Sequence, residues 1–384
     1  MPPRSSSASA PALICLSHLR WNFVFQRPQH LLTRCALERP VYYVEEPIYD
    51  GRAVPSMELE RNGGVTVAVP HLPTGNSEKD VLEIQRALLD GLIRAEGIHE
   101  YVLWYYTPMA LGFTDHLRPQ AIVYDCMDEL SAFANAPAAL KMREAELLRR
   151  ASVVFTGGQS LYEAKRNAHH NVRAFPSSVD VDHFAQARRI TTDPPDQAPI
   201  PRPRLGFFGV IDERMDIELL AGVAAARPDW HIVMLGPVVK IDPALLPRPG
   251  NIHYLGGKKY EELPQYVAGW DVAMLPFARN DATRFISPTK TPEYMAAGKP
   301  VVSTSIRDVV RPYGQRGLVR IADTVGAFVD ACEAAMAEDS STRLLAHDAF
   351  LRQTSWDGTW SQMRNLVQAS LIPLTAPARA ARAL

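Results

Sequence analysis

The sequence predicts an α/β fold of two doubly wound domains, each a mostly parallel sheet covered by helices on both faces. Short apolar, β-rich runs alternate with helical patterns along most of the chain, as βαβ units require. The alternation stops once, at residues 182–204 (DHFAQARRITTDPPDQAPIPRPR), where five prolines stand and no apolar period is sustained, and then restarts. The 384 residues suffice for two domains of about 150 residues, each with a full core.

In the first domain, strands are expected at 13–16, 41–44, 65–69, 102–106, 121–125 and 153–156, with helices over RPQHLLTRCALER and around 78–95 and 137–150. In the second, strands are expected at 205–210, 231–236, 252–256, 272–277 and 301–304. Helices are expected from about Asp216 and Tyr260 and up to Ala297. The chain closes with helices at 324–338, 341–353 and 357–371 and an Ala-, Arg- and Pro-rich tail expected to be disordered. The domains are therefore 1–181 and 205–355, with 182–204 as linker and 356–384 as a final helix and tail. No repeat of 20 to 50 residues is visible.

With 41 Lys+Arg against 42 Asp+Glu and a net charge of -1, the chain has no general basic field, which argues against nucleic acid as its main ligand. Cys15, Cys35, Cys126 and Cys332 lie far apart among apolar neighbours and read as reduced core residues, suiting the cytoplasm. The N-terminal apolar run breaks at Ser17, His18 and Arg20, too short for a secretory or membrane-spanning segment, so a disordered leader feeding a buried strand is expected.

The segment SPTKTPEYMAAGKPVVST, 287–304, carries the most chemistry. Ser287 or Thr289 can cap a helix whose first turn holds Pro292 and whose end is marked by Gly298, placing Lys290 at the positive N-terminus. Backbone N–H groups, the two hydroxyls and the Lys290 ammonium together suit a diphosphate. Glu293, three residues on, can accept hydrogen bonds from a ribose diol. Spacing alone equally fits an ordinary capped helix with a solvated Lys–Glu pair.

Together with LGGKKYEELPQYVAGWDVAMLPF before it, this segment resembles the donor-binding half of GT-B glycosyltransferases, near glycosyltransferase family 4 and bacterial exopolysaccharide and envelope enzymes. The resemblance runs over about fifty consecutive residues. It implies the GT-B fold, with two Rossmann-like domains facing across a cleft and a final helix crossing back to the first. Lys290 then binds the donor diphosphate and Glu293 the ribose. The family usually carries a second glutamate eight positions earlier, and here that position is Phe285.

VDVDHF at 179–184 resembles the hinge signature of the same fold. Asp180 and Asp182, which mimic a metal-binding Asp-x-Asp, fall at this linker, and no metal is predicted. In GVIDERMD, Gly209 permits close backbone approach and Arg214 stands where related enzymes carry an arginine toward the donor phosphates. The alternative is a surface turn in which Asp212, Glu213 and Arg214 pair with one another.

In the first domain, SHLRWNFVFQRPQHLL at 17–32 is similar to the opening of bacterial polysaccharide glycosyltransferases. His18, Arg20, Trp21 and Arg27 are the expected acceptor contacts, Trp21 or Phe23 stacking on a sugar face and Arg27 meeting an anion. In VYDCMDE, Asp128 is the expected catalytic base of an inverting reaction, by resemblance to xanthan-type glucuronosyltransferases. In a retaining reaction it would only bind sugar or acceptor. Trp356 and Trp360 are expected packing anchors.

The expected activity is metal-independent transfer of a sugar from a nucleoside diphosphate sugar, UDP favoured, to a glycan or lipid-linked acceptor. No cofactor is expected, and the setting is the cytoplasm or the inner membrane face. The alternatives are a nucleotide-sugar epimerase on this fold and a non-catalytic nucleotide-sugar-binding scaffold.

Overall fold

The computed structural model describes residues 10–133 and 136–371. The expected leader before residue 10 and the tail beyond 371 lie outside the described residues.

The first sheet contains β1 (Ala12–Leu16), β2 (Val41–Val44), β3 (Ile48–Tyr49), β4 (Ser56–Asn62), β5 (Val65–Leu72), β6 (Tyr101–Tyr105), β7 (Ala121–Cys126), β8 (Val153–Thr156) and β9 (Val172–Ala174). Its order is β3-β5-β2-β1-β6-β7-β8-β9, with β4 antiparallel against β5 and the other pairs parallel. All five residues of β1 are buried because helices cover both faces of the sheet. Leu13 and Cys15 enter one apolar cluster, while Ala12, Ile14 and Leu16 enter the other.

The second sheet holds β10 (Arg204–Phe208), β11 (His231–Leu235), β12 (Ile252–Gly256), β13 (Val272–Leu275), β14 (Val301–Ser303) and β15 (Arg320–Ile321). It is parallel in the order β12-β11-β10-β13-β14-β15. In each sheet the first strand lies between strands reached by crossovers of opposite direction, so a crevice opens at its carboxyl end. The two crevices face each other.

Local chemistry accounts for the helix starts. Ser77 accepts from the backbone N–H of Asp80, whose carboxylate returns to the Ser77 N–H, and this reciprocal cap opens helix Glu78–Ala95. Pro28 stands in the first turn of helix Arg27–Ala36, where a missing N–H costs nothing. Asp180 caps the short helix Val181–Ala185 by accepting from the His183 N–H at 3.1 Å. Its carboxylate is thus a structural cap.

Residues 182–204 form a packed strap on the second domain. Phe184, Ala187 and Ile200 belong to its core. Buried Gln197 accepts the Trp270 indole N–H at 3.0 Å and donates to the Tyr266 carbonyl at 2.9 Å. The last helix, Trp356–Ala369, inserts Trp356, Trp360, Met363 and Val367 into the first domain's cluster beside Leu13 and Val102.

Some expectations change. The pattern from Tyr260 opens with a 3-10 turn, Tyr260–Glu262, before helix Leu263–Ala268. The strand SMELERN, largely exposed and with only the pair Met57 and Leu59 on its apolar face, was not anticipated. The four cysteines are free and buried. Among the described residues no helix is long and apolar enough to cross a membrane.

Candidate donor and catalytic site

The seven-residue helix Lys290–Ala296 follows an irregular loop after β13 and points its first turn at the cleft. Thr289 is already helical in conformation and neither it nor Ser287 makes the expected capping hydrogen bond, so both hydroxyls remain at the cavity wall. A cavity of about 150 Å³ collects Gly209, Arg214, Ser287, Thr289, Lys290 and Glu293 from the second domain with Arg27 and Asp128 from the first. Strand ends separated by about 160 residues of sequence thereby meet at one point.

Gly209 has φ 136°, in the region that favours glycine, and a β-carbon there would lie 2.1 Å from Lys290 Cε. The strand end is therefore shaped to admit the lysine. Burial lowers the Lys290 pKa, aided by Arg214 and opposed by Glu293. Burial also raises the Glu293 carboxyl to about 7, opposed by Lys290. Glu293 Oε2 is buried and has no partner among the described residues, an acceptor free for a hydroxyl donor.

Arg214 is gripped by Asp212. Its Nε lies 2.9 Å from Oδ1 and its Nη2 2.7 Å from Oδ2. Asp212 is itself buried, so the pairing expected of a surface turn is present inside the protein. It fixes the guanidinium plane while Nη1 has no partner among the described residues. The Phe133 ring lies 5.8 Å from the Arg214 guanidinium and 5.6 Å from the Lys240 ammonium, the first domain's loop thus meeting two cations of the second.

Asp128 follows β7. Burial, reinforced by Asp212, raises its pKa, while Arg214, Lys240 and Arg27 oppose the shift. A carboxyl raised in this way is a stronger base than a solvated one.

The expected acceptor contacts are distributed otherwise. Arg27 is fully buried, with Nε and Nη2 on the Asp125 carboxylate and Nη1 2.8 Å from the Phe175 carbonyl. It ties a helix to β7 and the hinge, so it has no fork to offer an anionic acceptor. Arg20 donates to Glu45 and to the Glu46 and Pro47 carbonyls, bracing the loop after β2. His18 is half-buried, with its Nδ1 buried and unpartnered among the described residues and its pKa pushed down to about 4, by burial first and then by Lys240. Trp21 packs edge-on to Tyr43 at 4.9 Å. It also lines a neighbouring cavity of about 680 Å³ that reaches Gly236, Pro237 and Tyr260 of the second domain.

A model for glycosyl transferases group 1 matches residues 202–338, the part of the chain that contributes Gly209, Arg214, Lys290 and Glu293. The second domain is a group 1 glycosyltransferase domain. The Bacillus subtilis (strain 168) protein TuaH, named as a teichuronic acid biosynthesis glycosyltransferase, is 25% identical over 242 residues, 57% of this chain and 59% of that protein. The match therefore spans somewhat over half the length of this relative. Sucrose-phosphate synthase of Thermosynechococcus elongatus superposes with a TM-score of 0.72 at 15% identity, over 94% of this chain and 99% of that one. Anabaena Alr3699/HepE in complex with UDP and glucose gives 0.64 at 14% identity, over 93% and 99%. The chain has the GT-B fold.

Around Gly209, Arg214, Lys290 and Glu293 stand groups that sequence reasoning missed. Tyr260 stacks on Phe25 at 4.5 Å and on His183 at 4.3 Å, closing one side of the cleft across the domain boundary. Met127, Gly157 and Ser177 supply the far wall. The aromatic loop 17–30 was a visible signal for Phe25, but nothing local marks Tyr260 or Ser177. Phe285, the residue at the missing glutamate's position, packs against the first domain's core cluster.

Proposed function

We propose that this chain is a glycosyltransferase that moves a sugar from a nucleoside diphosphate sugar, UDP favoured, to a glycan or lipid-linked acceptor of the bacterial envelope. The observation that carries the reading is the convergence of Lys290, Arg214 and Glu293 on one cavity wall with Asp128 on the other. Lys290 and Arg214 face the charge that grows on a departing diphosphate, Glu293 accepts from the ribose, and Asp128 takes the acceptor hydroxyl's proton. The reading assigns no role to a metal or cofactor. The HepE complex with UDP and glucose supports UDP as the donor nucleotide, and the TuaH likeness supports an envelope acceptor. The setting proposed is the cytoplasm, at the inner membrane face for a lipid-linked acceptor.

Calorimetric titration with UDP, GDP and ADP, with and without Mg2+, tests the donor half. Lys290→Ala is expected to weaken binding of the preferred nucleotide at least tenfold, about 1.4 kcal/mol. Equal affinity in both proteins would reject the assignment. Asp128→Asn is expected to leave nucleotide affinity unchanged and to lower UDP release from UDP-sugars, with an envelope glycolipid extract as acceptor, by roughly 10²- to 10⁴-fold. Release at the wild-type rate would remove Asp128 as base.

A further inference from the structure

A second large cavity lies apart from the cleft. It has a volume of about 890 Å³ and lies where the chain passes between the domains, bounded by residues 173–178, by the segment around Asp308 to Tyr313, and by the return into the last helix. Ser177 and Ser287 line both this space and the cleft, so the two are separated by a thin wall carrying the loop that leads to Lys290.

The chemistry of the walls is specific. Asp308 is committed to the other domain, accepting from the Ser160 N–H at 3.0 Å and the Ser160 hydroxyl at 2.6 Å. Arg311 is held by Glu163, and Arg173 donates to the Val172 carbonyl. Arg173 is exposed to solvent and has no carboxylate partner among the described residues, while the remaining lining groups are uncharged. Gln353, Gln362 and Asn365 offer amides that both donate and accept, and Phe175, Tyr313 and Phe350 offer ring faces and edges. Ser178 lines the same space, and its Oγ is buried without a partner among the described residues, a polar atom of the kind that folded proteins normally satisfy.

Amides, hydroxyls and aromatic faces without a free carboxylate suit a neutral ligand with many hydroxyls and apolar C–H faces. The volume falls within the roughly 300–1,000 Å³ of small-ligand sites. We propose that this cavity is a second carbohydrate site, which holds a short neutral oligosaccharide behind the donor loop and apart from the cleft. The proposal stands on these walls and not on the identity of the donor.

Saturation-transfer NMR of the full chain with cellotriose, maltotriose and chitotriose tests it. At least one probe is expected to show transfer, unchanged in Lys290→Ala, which alters the cleft, and reduced at least fivefold in Gln362→Trp, which fills the cavity from an exposed helix position. Asn365→Trp, on the same helix face, repeats the block in case the first variant folds poorly, and circular dichroism compares both with wild type. No transfer to any probe, transfer that survives both tryptophan substitutions, or transfer lost in Lys290→Ala would each overturn the proposal. Nucleotide titration of the tryptophan variants reads the donor site separately.

Discussion

Lys290 and Glu293 sit three residues apart on one short helix, and burial acts on both by disfavouring their charged forms. For Glu293 the consequence has a definite sign. The folded chain holds the carboxyl proton up to about pH 7, whereas the unfolded chain releases it near the ordinary value of 4.5. Stability from this group is therefore fully present below about 4.5 and is lost as pH rises through 7. Thermal melts between pH 5 and 8 are expected to show a steeper decline for wild type than for Glu293→Gln. Parallel profiles would show that the side chain does not titrate in this range. Glu293 and Lys290 were legible in the sequence because both lie on one helical face. The Asp212 clamp on Arg214 matches the alternative reading of a self-paired turn, except that Asp212 is buried.

At the scale of elements, the end of β10 and the helix Lys290–Ala296 are fitted to each other through Gly209. An alanine there faces both a φ of 136° and the Lys290 side chain. Gly209→Ala is expected to cost about 1 kcal/mol or more of stability and to displace the ammonium, lowering nucleotide affinity with it. Calorimetry and denaturant titration together check this. Unchanged affinity would mean that the lysine has another route into the cleft. The loop 17–30 shows the opposite lesson. Its residue types suit a sugar, yet Arg20 and Arg27 meet Glu45 and Asp125, partners from distant strands that no local pattern reveals. Buried Arg27 with its matched carboxylate is a tie between elements. β4 escaped notice for a simpler reason, since the apolar alternation of this exposed edge strand is limited to Met57 and Leu59.

Across the whole molecule, the chain crosses between domains twice. It leaves the first domain at the hinge before helix Val181–Ala185 and returns through helix Trp356–Ala369, whose tryptophans sit in the first core. Asp308 with Ser160, and Glu163 with Arg307 and Arg311, join the domains between these crossings. Trp360→Ala is expected to destabilise the first domain by about 3–5 kcal/mol, although the residue lies near the far end of the chain. Hydrogen exchange should then show lost protection in β1 and β6 ahead of β10 and β11. Loss confined to the last helix would mean that it docks without supporting the core.

The sequence by itself determined the two-sheet architecture, the break between its halves and the segment of the second domain that carries Lys290 and Glu293 to the cleft. Each follows from local periodicity, helix starts or a contiguous motif, and such signals survive without knowledge of distant contacts. Only the tertiary structure decided which cations are engaged, which carboxyl is burdened by burial, and what stands opposite the donor loop. Those properties depend on groups brought together from strand ends far apart in the chain, and on the water excluded when the two domains meet. The same meeting creates the cavity behind Ser177 and Ser287, whose walls come from segments with no common pattern in the sequence.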